Sequence, residues 1–150
     1  MHWHADFEIF ACGEKITNLP KPVFPANYVG TSTLHHHDDF RLHVEGLVIK
    51  KEDVSLRSFF HVIGGSLSKD ELRIPLEGGT FANYKNGDLC PDGKAGELKL
   101  YKRNWATNDQ WVEIPELDDY VLLPEFNVPS KDLACKEYCG DYLKIAFETK

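Results

Sequence analysis

Six of the seven histidines in this 150-residue chain fall within its first 43 residues, in two patterned groups. The first is His2-Trp3-His4, and the second is His35-His36-His37-Asp38-Asp39-Phe40-Arg41-Leu42-His43. Neutral imidazole is the commonest protein ligand for Zn²⁺ and Cu²⁺. Two His-x-His pairs, a further histidine at 43 and several carboxylates therefore point to a metal site that takes copper or zinc. Ca²⁺ and Mg²⁺ prefer all-oxygen cages and fit poorly. A blue-copper set of Cys, His and Met is absent, since the only methionine is Met1. Nothing beyond residue 43 matches this as a chemical signal.

Strands must carry these residues. From His2 to Ala11 the chain alternates, with Trp3, Ala5, Phe7, Ile9 and Ala11 on one parity and His2, His4, Asp6 and Glu8 on the other. Period two reads as a half-buried strand whose apolar set faces the core. His2 and His4 then stand side by side on the face turned away from it. After residue 39 the pattern repeats, with Phe40, Leu42 and Val44 against Arg41, His43 and Glu45. If the two strands neighbour each other, His2, His4, His35, His37 and His43 converge on one exposed site. His36 has the opposite parity and is expected to point elsewhere. An exposed strand face also tolerates histidine with no ligand role, but two His-x-His pairs plus His43 outweigh that reading.

Leu56, Phe59, Phe60 and Ile63 make an i, i+3, i+4, i+7 stripe, the mark of an amphipathic helix. Asp53 or Ser55 is its candidate cap, Gly64-Gly65 its stop, and His61 lies off the stripe. Further strands are expected over residues 40–49, around Leu72-Arg73-Ile74, at Leu98–Tyr101, at Trp111–Ile114 and over Tyr142–Thr149, with an extended piece at Tyr120–Leu123. Residues 18–33 read as loop, and Asn83 to Gly96 as turn-rich. One helix among about six strands gives a small single α+β domain, residues 1–150, built on a mainly antiparallel or mixed sheet.

The net charge is −7 with both signs mixed along the chain. This argues against a nucleic-acid binder, which shows a basic face, and suits the attraction of cations. No apolar run reaches 18 residues. Cys12, Cys90, Cys135 and Cys139 include no Cys-x-x-Cys pair, so disulfides are a simpler reading than a cysteine zinc site or free thiols. Disulfides would place the chain outside the reducing cytosol, and four cysteines permit three connectivities. The start of the chain just before a strand suggests that a native leader or membrane anchor has been removed.

The chain resembles a family of uncharacterised His-rich extracytoplasmic domains of bacteria and archaea. The matching residues are His2-Trp3-His4-Ala5-Asp6, Leu34-His35-His36-His37, Leu42-His43-Val44-Glu45, Val54-Ser55-Leu56-Arg57-Ser58-Phe59-Phe60 and Cys139-Gly140-Asp141-Tyr142-Leu143-Lys144-Ile145. The resemblance implies an extracytoplasmic protein with an N-terminal anchor or signal. It implies metal binding through His2, His4, His35, His37 and His43. The family more often has Thr at position 36, and Cys135 and Cys139 look like additions to its pattern, which implies pairs Cys12–Cys90 and Cys135–Cys139. Three functions compete: copper or zinc scavenging, storage or delivery; a structural or adhesion module in which an ion bridges strands; and a metal-dependent enzyme, hydrolytic or oxidative, with Asp6, Glu8, Asp38, Asp39 or Glu45 as its base. They rank in that order.

Overall fold

The computed structural model describes residues 2–104, 110–123 and 141–150. Its elements are β1 (His2–Ala11), β2 (Glu14–Lys15), β3 (Val29–Gly30), β4 (Leu34–His36), β5 (Arg41–Glu45), α1 (Leu56–Val62), β6 (Ser66–Leu67), β7 (Glu71–Pro75), β8 (Phe81–Lys85), β9 (Gly96–Asn104), β10 (Val112–Ile114) and β11 (Asp141–Thr149). The large sheet runs β10-β9-β11-β1-β5-β4-β3, with β2 paired to β1, and β6-β7-β8 form a small second sheet. β1 and β11 pair in parallel, while the other ladders are antiparallel, so the large sheet is mixed. The fold is α+β, as the alternation and the single helical stripe require.

The apolar parity of β1 is the core face. Ala5, Phe7 and Ile9 are buried there beside Leu42 and Val44 of β5 and Leu143, Ile145 and Phe147 of β11. α1 lies on this face, and its predicted stripe of Leu56, Phe59, Phe60 and Ile63 is fully or nearly fully buried. The Phe7 and Phe59 rings meet edge to face at 5.5 Å. Of the two candidate caps it is Ser55 that acts, its Oγ accepting the Ser58 N–H at 3.1 Å. The helix ends as the Gly-Gly pair predicts. The Gly64 N–H donates to His61 O and the Gly65 N–H to Phe60 O, with Gly64 at φ +104°, which is a Schellman closure. Tyr84 of the small sheet sits 5.3 Å from Phe147 of the large one and ties the two together.

Several elements differ from the sequence reading. β5 stops at Glu45 rather than 49, because Gly46 adopts φ +84° and turns the chain; Leu47 and Ile49 beyond it are exposed. β8 occupies Phe81–Lys85, partly inside a stretch read as turns, and the strands number more than six. Cys12 and Cys90 form a disulfide across a separation of 78 residues, the pairing the resemblance implies. Cys135 and Cys139 lie outside the described residues. No helix among those residues is long and apolar enough to cross a membrane.

Candidate metal centre

The polar parity of the large sheet brings the two histidine groups together. β1 and β5 pair antiparallel with His4 opposite His43 and His2 opposite Glu45. β5 and β4 pair with His35 opposite His43. His4, His43 and His35 are therefore a row across three adjacent strands, on the face opposite α1. His37 follows His35 by two residues and falls on the same side, its ring 4.8 Å from His35 and 4.5 Å from His43. His2 and His4 rings lie 4.5 Å apart, as do those of His4 and His43. All five predicted histidines thus share one face, but in two overlapping sets. His35, His37, His43 and Glu45 bring one ligand atom each within 4.8 Å of one another, and so do His2, His4 and His43.

This face is less exposed than its parity suggests. His4, His35 and His43 are 5, 2 and 8% exposed; His37 is half-buried, and only His2 lies in the open. The rings cover one another, His35 stacking on His43 and the rest meeting edge to face. A surface cluster in the strict sense is replaced by a packed one. A hollow of about 560 Å³ opens over it, walled in part by His2, His4, His37, His43 and Glu45.

Hydrogen bonds decide which ring nitrogens can bind an ion. A carbonyl oxygen only accepts, so a ring nitrogen bonded to one must carry the proton. His35 Nδ1 donates to Thr31 O at 2.8 Å, and His37 Nδ1 donates to Asn27 O at 2.7 Å. Both present Nε2 as the bare lone pair when neutral. His43 is held the other way, with Nε2 2.8 Å from Asp39 Oδ2. Burial works to raise the Asp39 carboxyl. The bond from His43 and the backbone N–H groups of His37 and Arg41 outweigh it and hold Asp39 well below the usual carboxylate range. An ionised carboxylate is a pure acceptor, so His43 donates from Nε2 and keeps its lone pair on Nδ1. That atom is buried and has no hydrogen-bond partner among the described residues. Metal-bound histidines are oriented in this way, one nitrogen tied to a carbonyl or carboxylate and the other left for the ion.

Electrostatics point the same way. Burial lowers the proton affinity of His35, helped by the neighbouring His37 and His43 and opposed by Thr31 O and Glu45. Its neutral Nε2 faces Glu45 Oε1 at 3.8 Å, an acceptor opposite an acceptor. Two ligand atoms on a tetrahedral zinc ion with bonds near 2.1 Å sit roughly 3.4 Å apart. The spacing is thus close to what a shared cation needs and too long for a hydrogen bond.

His36 and the carboxylates resolve differently. His36 points to the opposite side, as its parity requires. It is fully buried, edge to face with Phe59 at 6.2 Å, and Nδ1 accepts the Asp38 N–H at 3.0 Å. Among the candidate bases, Asp6 is engaged by Arg41 at 2.6 Å and Glu8 by the Tyr142 hydroxyl. Asp39 orients His43, and Glu45 stands among the ligand atoms. The sequence reading placed Asp39 and Glu45 only in a general pool of bases. The signal for Glu45 was its shared parity with His43 in β5; Asp39 depends on a turn no periodicity reveals. No protein-family model, curated protein or solved structure matches the chain.

Proposed function

We propose that the chain is an extracytoplasmic metal-binding domain, taking copper or zinc for scavenging, storage or delivery. His35, His37, His43 and Glu45 hold the ion, with His2 and His4 alongside. The observation that carries this reading is the set of three clustered rings, each with one nitrogen held by Thr31 O, Asn27 O or Asp39 and the other left for an ion. Nitrogen ligands with one carboxylate suit Zn²⁺ and Cu²⁺, and the order of intrinsic affinity favours Cu²⁺. The Cys12–Cys90 disulfide supports an oxidising compartment, and the resemblance to His-rich extracytoplasmic domains agrees with it.

The test is a titration of metal-free protein with Zn²⁺ and Cu²⁺ against a competing chelator, for the wild type, His37→Ala and His43→Ala. Each substitution is expected to weaken binding by more than the ~10–100-fold typical of a residue that merely orients a ligand. Wild-type protein that captures no ion from the chelator, or variants that match it, would sink the reading.

A structural ion is the second reading, favoured by the row His4–His43–His35, in which one ion would join β1, β5 and β4. It predicts that chelation unfolds the domain. The binding reading predicts that the disulfide and the continuous core keep it folded, with far-ultraviolet circular dichroism unchanged.

A further inference from the structure

We propose that the histidine row offers two alternative positions for a single ion, and that the outer position loads the inner one. The outer position is His2, His4 and His43; the inner is His35, His37, His43 and Glu45. This inference rests on the metal-binding reading above and adds stoichiometry and a route.

One ion follows from sharing. His43 belongs to both sets. Its Nε2 is held by Asp39 at 2.8 Å, which leaves one lone pair, on Nδ1. One lone pair binds one ion. Glu45 stands between the two positions, its Oε1 lying 3.3 Å from His2 Nε2 and 3.8 Å from His35 Nε2. Filling one set therefore strips the other of its central imidazole.

The route follows from exposure. The His2 side chain is 48% exposed, whereas that of His35 is 3% exposed. His2, His4, His37, His43 and Glu45 line the hollow above the row, and of the ligand set only His35 does not. A hydrated cation entering the hollow meets His2 first and His35 last. Capture at the rim makes the next ligand exchange intramolecular, with the high effective concentration this brings. Three waters on the ion are then replaced by the nitrogens of His2, His4 and His43 before the buried position is reached. The ion passes inward by exchanging His2 and His4 for His35, His37 and Glu45 while His43 stays bound. Protein and ion end as a one-to-one complex with no change of oxidation state.

Cu²⁺ alone is the probe, because its absorption and electron paramagnetic resonance spectra count nitrogen ligands. Wild-type protein is expected to bind one ion per chain. His2→Ala/His4→Ala protein should reach the same final spectrum, with affinity within about threefold, but load roughly tenfold or more slowly in stopped flow. His2→Ala alone, at an exposed position where folding is not at risk, should give the same sign. His35→Ala/His37→Ala protein should load at the wild-type rate into a weaker complex with a distinct spectrum. Two ions per wild-type chain would mean that His43 bridges them as an imidazolate and would overturn the proposal. Loading by the His2→Ala/His4→Ala protein at the wild-type rate would overturn it too, while leaving the binding reading intact. A wild type that binds no Cu²⁺ defeats the binding reading itself.

Discussion

Replacing Asp39 by Asn isolates the step that prepares His43. The carboxylate makes three bonds: from His43 Nε2 at 2.8 Å and from the backbone N–H groups of His37 and Arg41 at 3.2 Å each. An amide of the same shape can keep its oxygen on the two backbone donors. Its NH₂ group then faces His43 Nε2, and two donors cannot face each other. The ring must move its proton to Nδ1, which removes the lone pair that the Asp39 bond leaves on His43. Nothing in the set of coordinating side chains has changed, so the expected loss is that of an orienting partner, about 10–100-fold in affinity, or roughly 1.4–2.7 kcal/mol. The fold should tolerate it, because the Asp39 side chain is 38% exposed; an exposed charged bond of this kind contributes at most about 1 kcal/mol.

The assay is Zn²⁺ competition with a chromophoric chelator near pH 7.5, with Asp38→Asn as the control. Asp38 lies in the same turn at φ +65°, a conformation Asn adopts readily, and the control loses the same unit of charge. Charge alone should cost less than about threefold at this exposure and ionic strength. If Asp39→Asn binds within twofold of wild type, or if the two variants fall together, the tautomer of His43 is not what Asp39 supplies.

Four further outcomes are expected. Metal occupancy should fall between about pH 7 and pH 5, with more than one proton taken up per ion released, since imidazole binds only when neutral; occupancy still full at about pH 4.5 would point to carboxylate ligation. Metal-free protein should lose stability over the same range. Burial holds His35 and His36 below their ordinary values, so the unfolded chain takes up protons first as the pH drops through about 6.5, and stability present above that pH drains away below it. His36→Gln should flatten the melting-temperature profile between about pH 7 and pH 5; an unchanged slope would count against the burial argument. Phe60→Ala, at a fully buried position of α1, should cost about 3–5 kcal/mol in urea unfolding, and a loss under about 1 kcal/mol would mean the helix stripe is not core. Removing the Cys12–Cys90 bridge with a double Ser substitution, across 78 residues, should cost roughly 4.5 kcal/mol by loop entropy; a difference within experimental error would show that the unfolded chain gains little freedom when the bridge is lost.

How much of this could be read from the chain follows from what periodicity encodes. Alternation in His2–Ala11 told the two faces of β1 apart, and the i, i+3, i+4, i+7 stripe found α1, because both patterns are local. The same parity separated His36 from His35 and His37 correctly. Pairing is not local. That β1 lies between β5 and β11, with His4 opposite His43 rather than one residue out of register, depends on which strands meet, and a slip of one residue in β5 would turn His43 and Glu45 to the core. Gly46 ended β5 early through its left-handed backbone, although Leu47, Val48 and Ile49 continue the apolar composition of a strand. Asp39 gained its role from a turn in which Asp38 and Phe40 take positive φ, conformations that non-glycine residues seldom adopt.

The burial of the histidine face is where local reasoning failed most instructively. Polar parity predicts exposure, yet His4, His35 and His43 are almost entirely covered, largely by one another. Imidazole permits this because a neutral ring is flat and partly apolar, and it stacks like an aromatic side chain. The arrangement is nonetheless a poor one for stability. It gathers bare lone pairs with a carboxylate oxygen at 3.8 Å, and it leaves His43 Nδ1 buried without a hydrogen-bond partner among the described residues, a loss of about 1–3 kcal/mol. Sequences that break their own packing rules do so chiefly at functional sites. A cation among these atoms turns each repulsion into a bond. The burial that lowers the proton affinity of His35 also keeps protons from competing for its place. The feature that the sequence pattern could not reveal is therefore the one that makes the cluster a better candidate metal site than its composition alone would have required.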